Sequence, residues 1–226
     1  MPEVPHGGVS RTWWARGGKR VFDLVVSLTL LVALAPVLVV AAALVRLTSR
    51  GAVLFVQDRG GKDGRVFRLY KLRTMRGGRV PDPKELVPLD HAEITALGRV
   101  LRRFKIDELP QLLNVVKGDM ALIGPRPTLV DQVEAYDAFR RQRLLVRPGI
   151  TGLAQIHGNT ALSWDERILF DIAYVRRCSL GLDVRIVLGT VRVLLLGDLR
   201  TARPIAQTEY ARYVTPPPGY GGGAEQ

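Results

Sequence analysis

Leu24–Val45 reads LVVSLTLLVALAPVLVVAAALV, 22 residues without a charge. As one straight helix it would be about 33 Å long, enough to cross a bilayer. The run is too long for the apolar region of a cleavable signal peptide, and no small-x-small site closes it. Two features set it apart from a plain span. Pro36 stands in its middle, where it removes a helix hydrogen bond and bends the chain. Both flanks are basic, with Lys19 and Arg20 before and Arg46 and Arg50 after, so the positive-inside rule holds both ends in the cytoplasm. A bent helix that enters and leaves one leaflet satisfies both features. A transmembrane helix with a tolerated proline remains the alternative.

The charge is concentrated around this segment. The first 79 residues hold fourteen Lys/Arg against four Asp/Glu, which is +10 of the +12 carried by all 226 residues. A basic region beside the most apolar one suits an anionic membrane surface or a phosphate ligand better than a nucleic acid. Hydrophobic residues at 47% and charged residues at 24% exclude a disordered or fibrous chain. A single cysteine, Cys178, excludes an intramolecular disulfide framework. The three histidines, His6, His91 and His157, have no metal-ligand spacing.

Beyond residue 50 the pattern shifts. Residues 51–57 (GAVLFVQ) and 65–73 (RVFRLYKLR) read as two strands joined by a Gly/Asp-rich turn, a β-hairpin. Gly77 to Pro88 reads as a loop. Helices are expected at 94–104, 107–117, 128–146, 163–177 and 183–196. Ser163 and Glu166 form a capping box for the fourth, whose apolar face is Trp164, Ile168, Ile172 and Val175. In the fifth, Val184, Val187, Leu188, Val191 and Leu195 recur at helical spacing. That stripe suits a core helix or one lying in a membrane interface. Pro and Gly dominate the end, VTPPPGYGGGAEQ, which reads as a disordered tail.

The densest run of reactive side chains is Arg102-Arg103-Phe104-Lys105-Ile106-Asp107-Glu108-Leu109-Pro110-Gln111. Leu109, Leu112, Leu113 and Val116 have helical spacing, so Asp107 and Glu108 fall at or near a helix N-terminus. There they either cap the helix and complement its dipole, or ligate Mg²⁺ while the nearby cations hold phosphates. Arg126 lies between Pro125 and Pro127, which present its guanidinium rigidly, as bidentate phosphate recognition requires; a solvated turn is the alternative. Arg147 in RPGITG reads the same two ways. Lys71 and Arg73, two apart on a strand, read as a phosphate-facing pair or as a solvated basic face.

Together these runs resemble the small monotopic phosphoglycosyl transferases, also called bacterial sugar transferases. The resembling pieces are KRVFD (residues 19–23), the mid-segment Pro36, YKLRTM, LRRFKIDELPQLLNVVKGDMALIGPRP, RPGITGLAQIHG and SWDERILFDIAYV. They stand in family order over residues 19–197. The resemblance implies an α/β, mainly α fold: a re-entrant membrane helix hairpin, a small β-hairpin, and amphipathic or interfacial helices around an active site on the cytoplasmic face. It divides the chain into an N-terminal segment (1–18), the re-entrant helix (19–50), a catalytic domain (51–205) and a C-terminal extension and flexible tail (206–226).

The resemblance also implies a reaction. A phospho-sugar passes from a nucleotide sugar, usually a UDP-sugar, to a polyprenyl phosphate of the undecaprenyl type, in the first membrane step of glycoconjugate or exopolysaccharide assembly. Asp107 is then the nucleophile and Glu108 its partner. Mg²⁺ is the cofactor, with Asp107 and Glu108 as its ligands. Arg102 and Arg126 match phosphate- and nucleotide-binding arginines, with Lys71, Arg73 and Arg147 as further substrate contacts. Membrane lipid and a second copy of the chain in a homodimer are the other candidate partners, no nucleic acid is expected, and the bacterial inner membrane is the expected location. Three positions depart from the pattern. Ala35 replaces the serine usual before the proline, Leu153 replaces a tryptophan, and DHAEITALG matches only loosely. A nucleotide-sugar hydrolase with the same dyad and a non-catalytic basic membrane adaptor are the competing classes.

Overall fold

The computed structural model describes residues 9–10, 12–76, 91–196, 202–218 and 220. The expected loop at Gly77–Pro88 and the last six residues of the tail lie outside them.

Among the described residues the molecule is mostly helical, with one long apolar helix and two small sheets. That helix, α1 (Lys19–Thr48), continues a π-helical turn at Trp14–Gly18, and helical backbone runs through Pro36 without interruption. Its two ends are packed and its middle is not. Near the start, Asp23 and Ser27 are buried. Near the end, Ala41 and Val45 are buried against Leu72 and Leu101. No side chain between Leu28 and Val40 is buried. At the first end Arg20 donates to the carbonyls of Val115 (2.5 Å) and Val116 (3.0 Å), and Asp23 accepts from the Leu122 amide at 3.2 Å.

β1 (Leu54–Gly60) and β2 (Val66–Leu72) form the expected hairpin, antiparallel from Leu54↔Leu72 to Gly60↔Val66. The pairing starts three residues later than expected and runs on to Gly60. Asp63, at φ 56, closes the turn in the left-handed region that aspartate tolerates. α2 (Ala96–Arg103) and α3 (Gln111–Lys117) follow. Gly118 caps α3 at φ 95, where a side chain would be strained. β3 (Ala121–Ile123) pairs in parallel with β4 (Gly149–Thr151), and the Gly149 amide donates to the Pro125 carbonyl at 2.8 Å, which ties the Gly-Pro-Arg-Pro turn to the Arg-Pro-Gly run.

The expected helix at 128–146 is three short ones: α4 (Val130–Glu134), α5 (Ala138–Arg141) and a 3₁₀ turn, Gln142–Leu145. The break has a local cause. The Asp137 carboxylate accepts from the Arg140 amide at 2.7 Å and starts a new helix.

α6 (Leu153–Ile156), α7 (Trp164–Arg177) and α8 (Leu180–Leu196) complete the order. Ser163 caps α7 as expected, its Oγ accepting from the Glu166 amide at 3.2 Å. The Glu166 carboxylate does not return to the cap; it accepts from the Ile205 amide at 2.9 Å. Ile168, Ile172 and Val175 are fully buried, as the spacing predicts. α8 does not behave as a core helix. Leu182, Asp183 and Ile186 face inward, while Val184, Val187, Leu188, Val191 and Leu195 are all exposed. Tyr210 and Val214, beyond residue 205, pack into the main core with Phe170, Tyr174 and Ile205.

Candidate active site

The site is built on the link from α2 to α3. Thr95 caps α2, its Oγ1 accepting from the Gly98 amide at 2.8 Å. Gly98 lets the helix press on the end of the hairpin: a Cβ there would lie 2.1 Å from the Thr74 carbonyl oxygen. After α2, Lys105 adopts φ 56, left-handed backbone that costs a non-glycine residue about 1 kcal/mol or more. This reversal ends the helix and turns Ile106–Glu108 into a 3₁₀ turn. Ile106 packs against the cluster that holds the end of α1. Asp107 and Glu108 are each only 7% exposed.

The carboxylates therefore do not cap α3. Its N-cap is Pro110, with no side-chain cap bond. This corrects the expectation of a helix starting at 107 and removes the bland reading of the pair. Glu108 Oε1 accepts from Lys71 Nζ at 2.9 Å and from Arg126 Nη2 at 2.8 Å. Burial alone would raise the Glu108 pKa, but Arg126 and Lys71 outweigh it and hold the carboxylate well below its usual range. Burial lowers the Lys71 ammonium, with Glu108 opposing.

Asp107 is different. Its Oδ1 is buried with no hydrogen-bond partner among the described residues. Burial raises its pKa and the Glu108 charge adds to that, while Lys71, Lys105 and Arg102 oppose it. A buried carboxylate oxygen left without a donor is costly. It is also the form a nucleophile or a metal ligand takes before its ligand arrives.

Arg102 donates from Nε to Thr74 Oγ1 at 2.9 Å and acts electrostatically on both carboxylates. The other two candidates serve packing. Arg73, just past β2, donates to the carbonyl and hydroxyl of Ser49 at 2.8 and 2.9 Å, tying the exit of α1 to the hairpin. Arg147 donates to the Gly118 carbonyl at 2.8 Å. The structure thus brings together Asp107, Glu108, Lys71, Arg126 and Arg102, and turns Arg73 and Arg147 to the backbone.

Two arginines complete the site that sequence reasoning passed over. Arg59 on β1 donates to Gln57 Oε1 at 2.6 Å and to the Pro127 carbonyl at 3.5 Å. Burial, aided by the like charge of Arg126, lowers it to about 10. Arg143 donates to the Arg126 carbonyl at 2.9 Å and to buried Asp171 at 2.5 Å. The turn carrying Arg126 is thus held from two sides. The alternation of Gln57 and Arg59 on one strand face was the available signal for the first; nothing local marks the second.

Three or more His, Cys, Asp or Glu side chains placed to hold a metal do not occur among the described residues. The Asp107–Glu108 pair fits Mg²⁺ in the manner of sites where one or two carboxylates share the ion with substrate phosphates. The orphaned Oδ1 of Asp107 is the observation that supports this fit.

A family model described as "Bacterial sugar transferase" matches residues 14–197. The chain is 43% identical over 180 residues to an "Uncharacterized sugar transferase EpsL" of Bacillus subtilis (strain 168), covering 80% of this chain and 88% of that one. It is 43% identical over 189 residues to a "UDP-glucose:undecaprenyl-phosphate glucose-1-phosphate transferase" of Caulobacter vibrioides, covering 80% and 70%. It is 42% identical over 185 residues to a "UDP-N-acetylgalactosamine-undecaprenyl-phosphate N-acetylgalactosaminephosphotransferase" of Aeromonas hydrophila. There it covers 79% of this chain but only 44% of the relative.

Proposed function

The chain belongs to the bacterial sugar transferase family, and from that premise we propose that it moves a phospho-sugar from a UDP-sugar to undecaprenyl phosphate by way of a covalent aspartyl intermediate. The observation that carries the reading is the Asp107 carboxylate, buried and unpartnered at Oδ1 among the described residues, beside a Glu108 neutralised by Lys71 and Arg126.

Asp107 attacks the β-phosphorus of the donor. The bond from that phosphorus to the bridging oxygen breaks, and UMP leaves with the electron pair. A phosphate oxygen of the polyprenyl phosphate then attacks the same phosphorus. It releases Asp107 and yields polyprenyl-diphosphate-sugar. A carboxylate needs no base near neutral pH, so the barrier is repulsion between anions. Lys71, Arg102 and Arg126 offset that repulsion, and Glu108 orients two of these cations. Asp107 and Glu108 would hold Mg²⁺, which would supply further charge neutralisation when bound.

We place the protein in the bacterial inner membrane with the site on the cytoplasmic face. The two ends of α1 support a re-entrant path. They rest on α3 and β2, which are themselves joined by the Tyr70 amide donating to Asn114 Oδ1 at 3.2 Å. A spanning helix would hold its ends on opposite sides of about 30 Å of hydrocarbon.

The test is a panel of UDP-sugars with undecaprenyl phosphate and Mg²⁺. The proposal expects one sugar to give lipid-linked diphosphate product and UMP in equal amounts. Multiple-turnover UMP release without the lipid would make the protein a hydrolase instead.

A further inference from the structure

A second concave site lies away from the dyad's contacts, between α8 and residues 203–210, with a volume of about 510 Å³. Arg185, Leu188, Gly189 and Arg192 line it from one stripe of α8, and Arg203 and Tyr210 line the opposite wall. Its charge is unbalanced. Arg185 pairs with Glu209. Arg192 and Arg203 have no ion pair and no side-chain hydrogen bond among the described residues.

The adjoining stripe of α8 is apolar and uncovered: Val184, Val187, Val191 and Leu195 are all exposed, Leu195 at 79%, and Leu188 at the edge of the cleft is 67% exposed. The helix is also fixed in place relative to the membrane segment. In its first turn Asp183 accepts from Trp14 Nε1 at 2.8 Å and from Lys19 Nζ at 2.9 Å. α8 therefore starts where α1 starts.

We propose that this cleft binds the headgroup of an anionic phospholipid, whose acyl chains lie along Leu188, Val191 and Leu195. The two unpaired guanidiniums supply charge-assisted donors to a phosphodiester. A free phosphate would leave the apolar stripe in water, and a choline headgroup would bring a cation against arginines. The site is independent of the chemistry at Asp107, and its test does not read sugar transfer.

The experiment uses the full chain in detergent micelles and follows the thermal unfolding midpoint. The probes are dioctanoyl phosphatidylglycerol, dioctanoyl phosphatidylcholine and inorganic phosphate. Phosphatidylglycerol should raise the midpoint saturably, and the other two should not. The Arg192→Glu, Arg203→Glu double variant should raise the half-saturating phosphatidylglycerol concentration about tenfold, with the lipid-free midpoint unchanged. If that variant does not fold, Arg192→Gln with Arg203→Gln gives the same reading without charge reversal. An equal response to phosphatidylcholine would show apolar contact alone. An equal response to phosphate would show a free-anion site, and an undiminished response in the folded variant would put the lipid elsewhere. Each of these three results overturns the proposal.

Discussion

Arg126 Nη2 donates to Glu108 Oε1 over 2.8 Å, joining a proline-bracketed turn after β3 to the turn that precedes α3. Lys71 reaches the same oxygen from β2. Glu108 is thereby held ionised, and Asp107 beside it has no donor at Oδ1 among the described residues. Both hydrogen-bonded cations fall on one carboxylate of the pair, Glu108.

Removing either arginine proposed to hold phosphate should slow catalysis without unfolding the protein. Arg102→Ala and Arg126→Ala should each cost on the order of 2–4 kcal/mol of transition-state stabilisation, roughly 30- to 1000-fold in kcat/KM. Steady-state kinetics with matched far-UV circular dichroism would read this. Near-native turnover in either variant would leave that arginine a structural partner of Glu108 or Thr74 with no part in catalysis.

Both ends of α1 should lie on one side of the membrane. Ser10→Cys and Ala52→Cys should each resist an impermeant thiol reagent added outside intact spheroplasts and react once the membrane is opened. Native Cys178 is buried and adds little background. Labelling of one position from outside would restore a spanning helix.

Asn114 is fully buried and joins the hairpin to α3, accepting from the Tyr70 amide and donating to the Arg68 carbonyl at 2.7 Å. Asn114→Ala strands both backbone groups and should destabilise the fold by about 2–4 kcal/mol. Chemical denaturation would measure it. A loss below about 0.5 kcal/mol would mean that water takes over both bonds.

His157 stacks on Phe170 with ring centroids 4.7 Å apart, and its Nδ1 lies 2.9 Å from the Leu153 carbonyl. Burial lowers its pKa below the ordinary 6.5; the Leu153 carbonyl opposes this, Arg203 reinforces it and Glu209 opposes it. The unfolded chain therefore takes up a proton that the folded chain refuses. The stability this gives is present above pH 6.5 and is lost as pH falls toward the lowered value. His157→Phe should flatten the fall in unfolding midpoint between pH 6.5 and 5. An unchanged slope would assign that fall to other groups.

Some of this was legible in the sequence for definite reasons. Asp107 and Glu108 are adjacent, so any local fold keeps them together. Ser163 caps α7 through a contact three residues away. The α8 stripe was ambiguous because periodicity marks a face without saying what covers it. The expected helix at 128–146 broke because Asp137 restarts the helix within an apolar spacing that otherwise continues. β3 and β4 are three residues each and pair across 28 positions, too short and too distant for a local pattern to reveal. The left-handed Lys105, which aims the dyad inward, carries no residue-type signal at all.

The central claim is that Asp107 becomes covalently phosphorylated by the donor. Purified protein given the UDP-sugar alone should release up to about one equivalent of UMP per chain, as a covalent intermediate requires. It should gain the mass of a phospho-sugar, labile to hydroxylamine, on the peptide that contains Asp107. Asp107→Asn should fold normally, form no adduct and turn over at background. Full activity in Asp107→Asn, or an adduct on another residue, would contradict the account.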